Sequence, residues 1–462
     1  MKNWRILTAV LALAVQARGQ TFTVLHSFGG SDNSGQSFAR LYQGSDGYFY
    51  GTVGWGGSFG AGTLFQISSA GTFTTLHNFT GGADGDHPSF GGALVQGQDG
   101  LFYGTTYQGG SQNTGVVFKI TSAGTLTPIY QFSGPDGGGP EAGLVQASDG
   151  NFYGTTYWGG SNSLGNIFRV NSAGAFTNLH QFGGADGSYP YSGMVQGGDG
   201  FLYGTTFGGG SNGWGTVFQI TTAGTLTTLH HFGPYPDGAD PYGITRGADG
   251  FFYGTTSAVG PAGRGTVYKI NALGAFQTLH GFTNGVDGGG PQCGLLLGSD
   301  GNLYGTTYYG GITNSSSPNG AGVVFRITPA GTLTTVYQFD GGNDGASPFA
   351  GLVQASDGSL YGTTSLYGGT GKHGTIFRLS IPLSPPANQI STVGVNGSDV
   401  LVTVPSVWSE TYQLQYRSSL TSGTWSNVAG ACASNSIGAL LTVTNFGGAS
   451  SPQGFYRFDI TP

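Results

Sequence analysis

The acidic and imidazole side chains of this 462-residue chain recur at fixed intervals, and that recurrence limits the chemistry they could perform. Seven Asp each precede a Gly: Asp46, Asp99, Asp149, Asp199, Asp249, Asp300 and Asp357. Seven more return at a second fixed position: Asp32, Asp84, Asp136, Asp186, Asp237, Asp287 and Asp344. Hydrolysis of a glycosidic bond needs two carboxyl groups held in different environments at one place. An Asp that reappears in every period reads instead as a turn or cap residue, its carboxylate accepting backbone N–H bonds. Only Asp86, Asp240, Asp340, Asp399, Asp459, Glu141 and Glu410 stand outside the pattern, which leaves few unique carboxylates for catalysis. Histidine is periodic too. His26, His77, His180, His230 and His280 share one repeat position with Tyr130 and Tyr337. Tyrosine serves poorly in a neutral-imidazole metal site, whereas both residues offer an aromatic body with a polar tip, so a hydrogen bond between neighbouring repeats is expected. Around the irregular His87, His231 and His373 no Cys, Asp or second His lies at metal-ligand spacing, except that His231 adjoins His230, and adjacent strand residues point to opposite faces. The Gly-Gly pairs lie between strand-like segments with no helix start to receive a phosphate, and most copies of the acidic loop offer one carboxylate where calcium takes six or more oxygens. No catalytic residue, metal or cofactor is expected.

These residues are positioned by a tandem repeat. Tyr-Gly-Thr recurs at Tyr50, Tyr103, Tyr153, Tyr203, Tyr253, Tyr304 and Tyr361, at spacings of 53, 50, 50, 50, 51 and 57 residues. Each period holds four strand-like segments rich in aromatic and β-branched residues, with Asp-Gly between the first two and another Gly turn between the last two. Four antiparallel strands in about fifty residues is the arithmetic of a propeller blade. First-strand core positions number seven (Leu41, Leu94, Leu144, Met194, Ile244, Leu295, Leu352), and so do third-strand aromatics (Phe65, Phe118, Phe168, Phe218, Tyr268, Phe325, Phe377). Fourth strands also number seven but are offset: one precedes the first repeat and none follows the last. A ring closed by its own first strand explains that offset, and closure removes the exposed sheet edges that invite aggregation. The sequence therefore predicts an all-β chain, a seven-bladed β-propeller in which Thr21 to Phe28 completes the blade beginning near Ala350. A small C-terminal β-sandwich-like domain, Ig- or fibronectin-like, is expected to follow.

The Leu-Val-Gln, Asp-Gly, Phe-Tyr-Gly-Thr-Thr, Gly-Gly, Val-Phe-Lys-Ile and Leu-His-x-Phe elements of residues 21 to 380 resemble the GloVer tandem repeat of choice-of-anchor secreted bacterial proteins. The resemblance implies an exported bacterial protein and brings no catalytic residues with it. The C-terminal segment departs from that pattern, since it reads Tyr-Gln-Leu-Gln-Tyr and carries Phe455-Tyr456-Arg457 near its end, resembling a folded module of secreted proteins.

Residues 1–19 read as a secretory signal, with Lys2 and Arg5 before an apolar stretch too short to span a bilayer and small residues ahead of Gln20. The propeller is expected over 20–380, a Pro-containing linker over 381–389 and the small β domain over 390–462. Secretion or cell-surface association follows, with no membrane span after signal removal, and a monomer is expected. Fourteen Lys and Arg against 21 acidic residues cannot easily build a phosphate-binding surface, so nucleic acid is not a partner. Cys293 and Cys432 could form only one interdomain disulfide, or remain two isolated thiols.

Antiparallel order puts the long connections, from strand two to three and from strand four to the next blade, on one face, and loop-borne function concentrates there. That face should display Trp55, Tyr107, Tyr157, Trp158, Tyr189, Tyr191, Trp214, Tyr235, Tyr242, Tyr308, Tyr309 and Tyr367, with Phe90 and Phe349 among Asn, Ser and Gly. Rigid aromatic platforms beside adaptable polar groups suit an extracellular polysaccharide or a cell-surface protein. The same rings next to Gly-Gly would also serve to cover blade edges. The expected role is that of a secreted, non-catalytic binding protein. The alternative is a carbohydrate-active hydrolase or lyase at the channel mouth, for which Arg40, Glu141 and Arg246 are the non-repeated polar residues near the axis.

Overall fold

A computed structural model describes residues 20–29, 35–88, 94–315, 317–369 and 371–381, and strands between 392 and 461. The leader 1–19, Asp32, Phe90 and residues 382–391 of the linker region lie outside the described residues. The described chain contains strands and turns and no helix. Seven antiparallel sheets follow one another with strands in chain order, the second carrying an extra short strand, Asp86–Pro88. The last is completed from the other end of the chain: Thr21–Ser27 pairs with Thr375–Ser380, from Thr21 opposite Ser380 to Ser27 opposite Thr375. The Phe28 amide adds a bond to the Gly374 carbonyl at 3.0 Å. Near the C-terminus, strands Thr392–Asn396, Asp399–Pro405 and Leu440–Asn445 form one three-stranded sheet, and Ser426–Ser434, Thr411–Arg417 and Phe455–Thr461 form another.

The repeated residues make the same contacts in each blade. The Tyr of Tyr-Gly-Thr is buried and its hydroxyl donates to the Asp of the preceding Asp-Gly turn, as in Tyr50 to Asp46 at 2.6 Å and Tyr153 to Asp149 at 2.7 Å, and so around the whole ring. The other Asp oxygen accepts the turn's own amide, such as Tyr48 to Asp46 at 3.1 Å. One carboxylate thus shapes the hairpin and anchors the strand leaving it. The following Gly is obligatory for space, because a Cβ on Gly154 would lie 2.5 Å from the Phe168 ring and 2.7 Å from Leu144. Apolar cores form between blades rather than within them: Tyr103, Val117 and Phe132 of the second blade pack with Leu144, Phe152 and Phe168 of the third. Each fully buried ring of this kind contributes roughly 2–3 kcal/mol of transfer free energy.

The fourth-strand His and Tyr residues differ from expectation in what they bond. His77, His180, His230 and His280 hold Asp84, Asp186, Asp237 and Asp287 of the outgoing connection at 3.1, 2.7, 3.0 and 3.1 Å, and Tyr130 and Tyr337 do the same to Asp136 and Asp344. The contact that crosses between blades is a ring stack, as in His230 on Phe276 and Tyr130 on Phe176 at 3.9 Å. The Asp is held from both sides, since Asp84 also accepts the Thr80 amide at 3.0 Å.

Tyr268 breaks the third-strand pattern. Six blades place Phe there, whereas the Tyr268 hydroxyl is fully buried over Gly254 and has no hydrogen-bond partner. A buried hydroxyl without a partner costs about 1–3 kcal/mol. Tyr268→Phe is therefore expected to raise the unfolding midpoint in calorimetry, by about 1 kcal/mol of stability, and a lower midpoint would refute this account of the position.

Candidate functional site

Both long connections of a blade lie on one face, where backbone bonds zip them together. In the third blade Gly138 and Trp158 exchange bonds of 2.8 and 3.1 Å, and the Tyr157 amide reaches the Gly139 carbonyl at 3.0 Å. Ser188 with Gly208, and Gly289 with Tyr309, repeat the arrangement in the fourth and sixth blades. The chain then turns inward through a Pro, and the residue before it adopts positive φ even where it is not Gly: His87, Tyr189, Asp240 and Ser347 at 54–57°. Glu141, Tyr191, Tyr242, Gln292 and Phe349 each follow such a Pro directly, while in the first blade Phe38 follows Ser37.

Below them the first strands of neighbouring blades approach closely. A Cβ on Gly193 would approach the Gly143 carbonyl to 3.1 Å, and one on Gly243 would lie 3.0 Å from Gly294 Cα. Arg40 occupies the corresponding position of the first blade, beside Gly351 and Cys293. Burial lowers the pKa of the Arg40 guanidinium and raises that of the Cys293 thiol. Cys293 is a free, buried thiol 3.2 Å from the Thr306 hydroxyl, which answers the disulfide question for that residue.

At the mouth the rings touch in series. Trp55 meets Phe38 edge-on at 5.6 Å, Phe38 meets Phe349 at 5.3 Å, and Phe349 meets Tyr242 and Tyr308 at 6.4 Å. Tyr242 meets Tyr191 at 5.2 Å, Tyr191 meets Tyr157 at 5.9 Å, and Tyr157 meets Tyr189 at 5.3 Å. Tyr309 joins through Tyr308 at 4.7 Å, and Phe207 packs between Tyr191 and Tyr242. Trp158 hydrogen-bonds Tyr107, while its indole lies against Gly138 and Gly139, where a Cβ would come within 2.5 Å. Trp158 thus also covers backbone, as Tyr309 does beside Gly290.

Three rings lie apart from this series. Trp214 is 39% exposed at a backbone bridge to Gly209, and Tyr235 is 74% exposed ahead of Pro236. Tyr367 bridges His373 and packs at the edge of the core around Phe339 and Phe377. Phe38 and Phe207 belong to the mouth and were not anticipated. Phe38-Ala39-Arg40-Leu41 aligns with Phe349-Ala350-Gly351-Leu352, and that register would have found the first of them.

Glu141 sits where other blades place Phe38, Tyr191 and Phe349. It is only 7% exposed; Tyr191 hydrogen-bonds its carboxyl, and Oε2 is enclosed without a partner. Burial pushes its pKa up to about 7 against the opposing effect of the Tyr191 bond. Burial, reinforced by the negative charge of Glu141, in turn raises the phenols of Tyr107, Tyr157, Tyr191 and Tyr242. Asp240 is raised by burial and bears on Tyr242 as well. Arg40 and Arg246 are not part of this cluster: Arg40 lies by Cys293, and the Arg246 guanidinium lies beside Gly198 of a tight turn between first and second strands. Among the described residues no group of three His, Cys, Asp or Glu is placed to hold a metal ion.

Glu141 has a stability signature. Its folded-state pKa near 7 exceeds the ordinary 4.5, so below the lower value both states are protonated and it makes no difference. As pH rises toward the folded value the unfolded chain ionises first and stability is lost, by up to about 3 kcal/mol. Glu141→Gln should match the parent near pH 4 and exceed it increasingly toward pH 8 in thermal unfolding. A constant difference across that range would show that the carboxyl is not held neutral.

A family model described as the Gloeobacter/Verrucomicrobia repeat matches residues 11–206 and 190–393. No curated protein matches the sequence significantly. Among solved structures, the chain is similar to the extracellular domain of a protein assigned to a hybrid two-component system of B. thetaiotaomicron (11% identity, TM-score 0.53, 95% of this chain and 57% of that one). A second such extracellular domain from the same organism gives 10% identity and a TM-score of 0.52 over 83% of this chain and 44% of that one. The chain thus spans about half the length of both. A fungal alcohol oxidase of the AA5 family, solved in complex with copper, gives 14% identity and a TM-score of 0.50 over 94% and 95%. At these identities the likeness is one of fold. The repeat, by contrast, is matched over most of its length, and the chain belongs to the Gloeobacter/Verrucomicrobia repeat family.

Proposed function

We propose that this chain is an exported, non-catalytic binding protein that holds a saccharide against the aromatic mouth of its propeller. The observation that carries the reading is the run of touching rings from Tyr157 through Tyr191 and Tyr242 to Phe349, on the face where all the long connections meet. Aromatic faces stack on the apolar faces of sugar rings, and the phenol hydroxyls and loop amides provide polar contacts at the rim. Export is supported by the apolar leader, with Lys2 and Arg5 ahead of it and small residues before Gln20.

A hydrolase would need one neutral and one ionised carboxyl at the mouth. Glu141 and Asp240 both bear on Tyr242, but burial raises both, and no cation or hydrogen-bond donor is among the groups acting on Asp240 to favour the ionised form that the second carboxyl of such a pair requires. The binding reading is preferred on that ground.

Glycan-array binding by the full chain tests it. Tyr157→Ala is expected to weaken binding about tenfold or more, because it removes the ring with which the run begins, whereas Trp214→Ala, outside the series, leaves binding unchanged. Absence of any glycan binding, or equal binding by the Tyr157 variant, would overturn the proposal.

A further inference from the structure

We propose that the mouth selects a saccharide bearing a free ammonium group, an amino sugar whose nitrogen is not acylated, with the cation resting on the tyrosine faces above Glu141. This rests on the mouth being a saccharide site and specifies its ligand. The fold itself does not ask for a carboxyl at residue 141: equivalent positions hold Phe38, Gly91, Tyr191, Pro241, Gln292 and Phe349, and Glu appears once. That single Glu is nine-tenths buried, with one enclosed oxygen that has no hydrogen-bond partner, and it acts on four of the surrounding tyrosines.

Every charged group that bears on the surrounding hydroxyls is acidic. Glu141 acts on Tyr107, Tyr157, Tyr191 and Tyr242, Asp240 acts on Tyr242, and no Lys, Arg or His is among the groups acting on any of them. A buried carboxylate without a counter-charge is costly, and a ligand cation supplies what the protein does not. The ring faces are themselves electron-rich, and a cation over a tyrosine face in a water-poor site is attracted by both the ring and the carboxylate beneath it. One enclosed carboxyl under aromatic faces does not resemble a metal site, which would present several oxygens or nitrogens to the ion.

The empty and filled mouths should differ in proton content. Without a ligand Glu141 favours its neutral form, and a docked cation favours the ionised form, so binding releases a proton and strengthens as pH rises through neutrality. The four tyrosines stay neutral over that range because burial and the nearby carboxylates raise them, which leaves Glu141 and Asp240 as the titrating groups that act on those rings, while the His87 imidazole, paired with Asp86, lies against Trp55 at the other end of the series.

Calorimetric titration of the full chain with tetramethylammonium, whose charge is independent of pH, isolates the protein's contribution. Binding is expected to be about tenfold tighter at about pH 8 than at about pH 5.5, and Glu141→Gln should weaken it about tenfold at the higher pH and remove the pH dependence. A glucosamine oligomer should also bind more tightly than its N-acetylated counterpart at neutral pH. Affinity for tetramethylammonium that ignores pH or the Glu141 substitution would overturn the inference, as would equal binding of the two oligomers. If Tyr157-dependent saccharide binding persists in that case, the mouth remains a saccharide site and only the ammonium preference falls. If no saccharide binds at all, both fall.

Discussion

Pairing of the first strand with the last sheet is the constraint on which the rest of the molecule depends. Blades in a propeller are stabilised chiefly by the cores they share with their neighbours, so an unclosed ring would leave two apolar faces in water. Here the seam is fastened at several radii. Thr21–Ser27 completes the outer edge of the last sheet. Phe49 of the first blade stacks on Tyr361 of the last at 4.1 Å, and near the axis the Ser356 amide donates to Gln43 at 3.1 Å and the Thr363 hydroxyl to the Ala39 carbonyl at 3.4 Å. The same amide-to-Gln contact appears at other junctions, for example Ser45 to Gln96 and Ser148 to Gln196. The covalent discontinuity between first and last blade is therefore bridged with the same non-covalent contacts as most other junctions. Closure also puts residues near 38 and near 349 side by side, and that is what makes the mouth continuous.

The blade plan was legible because it rests on short-range chemistry repeated seven times. Asp-Gly states a tight turn, Tyr-Gly-Thr states a strand whose Gly must admit a neighbouring ring, and the displaced fourth strand states closure. What could not be read was the identity of partners that lie far apart in sequence or answer to two neighbours at once. The Asp of the first turn was expected to bind backbone amides, which it does, but its second oxygen takes the tyrosine hydroxyl of the same repeat. The fourth-strand His was expected to bond across blades, yet an Asp a few residues further along is closer, and the ring stack makes the crossing contact. In both cases the residue type was informative and the geometry of the connection decided the partner.

The mouth was legible as a face and not as a constellation. Loop lengths and aromatic content located it, but whether a ring turns toward the axis or lies outward depends on its position relative to the inward-turning Pro. Tyr191 and Tyr242 follow that Pro closely and converge, whereas Trp214 and Tyr235 lie in the outer parts of the connections and stay exposed. Trp158 and Tyr309 occupy the zipped segment, where covering the Gly backbone and facing the mouth are compatible roles.

A frame repeated seven times provides its own comparison for every residue it carries. Where a position holds the same type in each blade, as with the Asp-Gly turn or the Gly beneath the third-strand ring, folding alone accounts for it. Where one blade departs, the departure needs a local reason, and the reasons here are of different kinds. Arg246 and Leu297 stand where other blades have the Gln that clasps the preceding blade, so two junctions forgo that bond and lean on shared apolar cores such as the one joining Tyr203, Val217 and Phe252. Tyr268 adds a hydroxyl that its surroundings leave without a partner. Glu141 differs from both, because its departure introduces a charge-bearing group at the point where rings from several blades meet. A carboxyl there weakens the frame at neutral pH and contributes nothing that Phe or Tyr does not already provide in the other blades. That combination, a cost to folding placed at the convergence of the long connections, distinguishes a residue kept for a ligand from one kept for the scaffold.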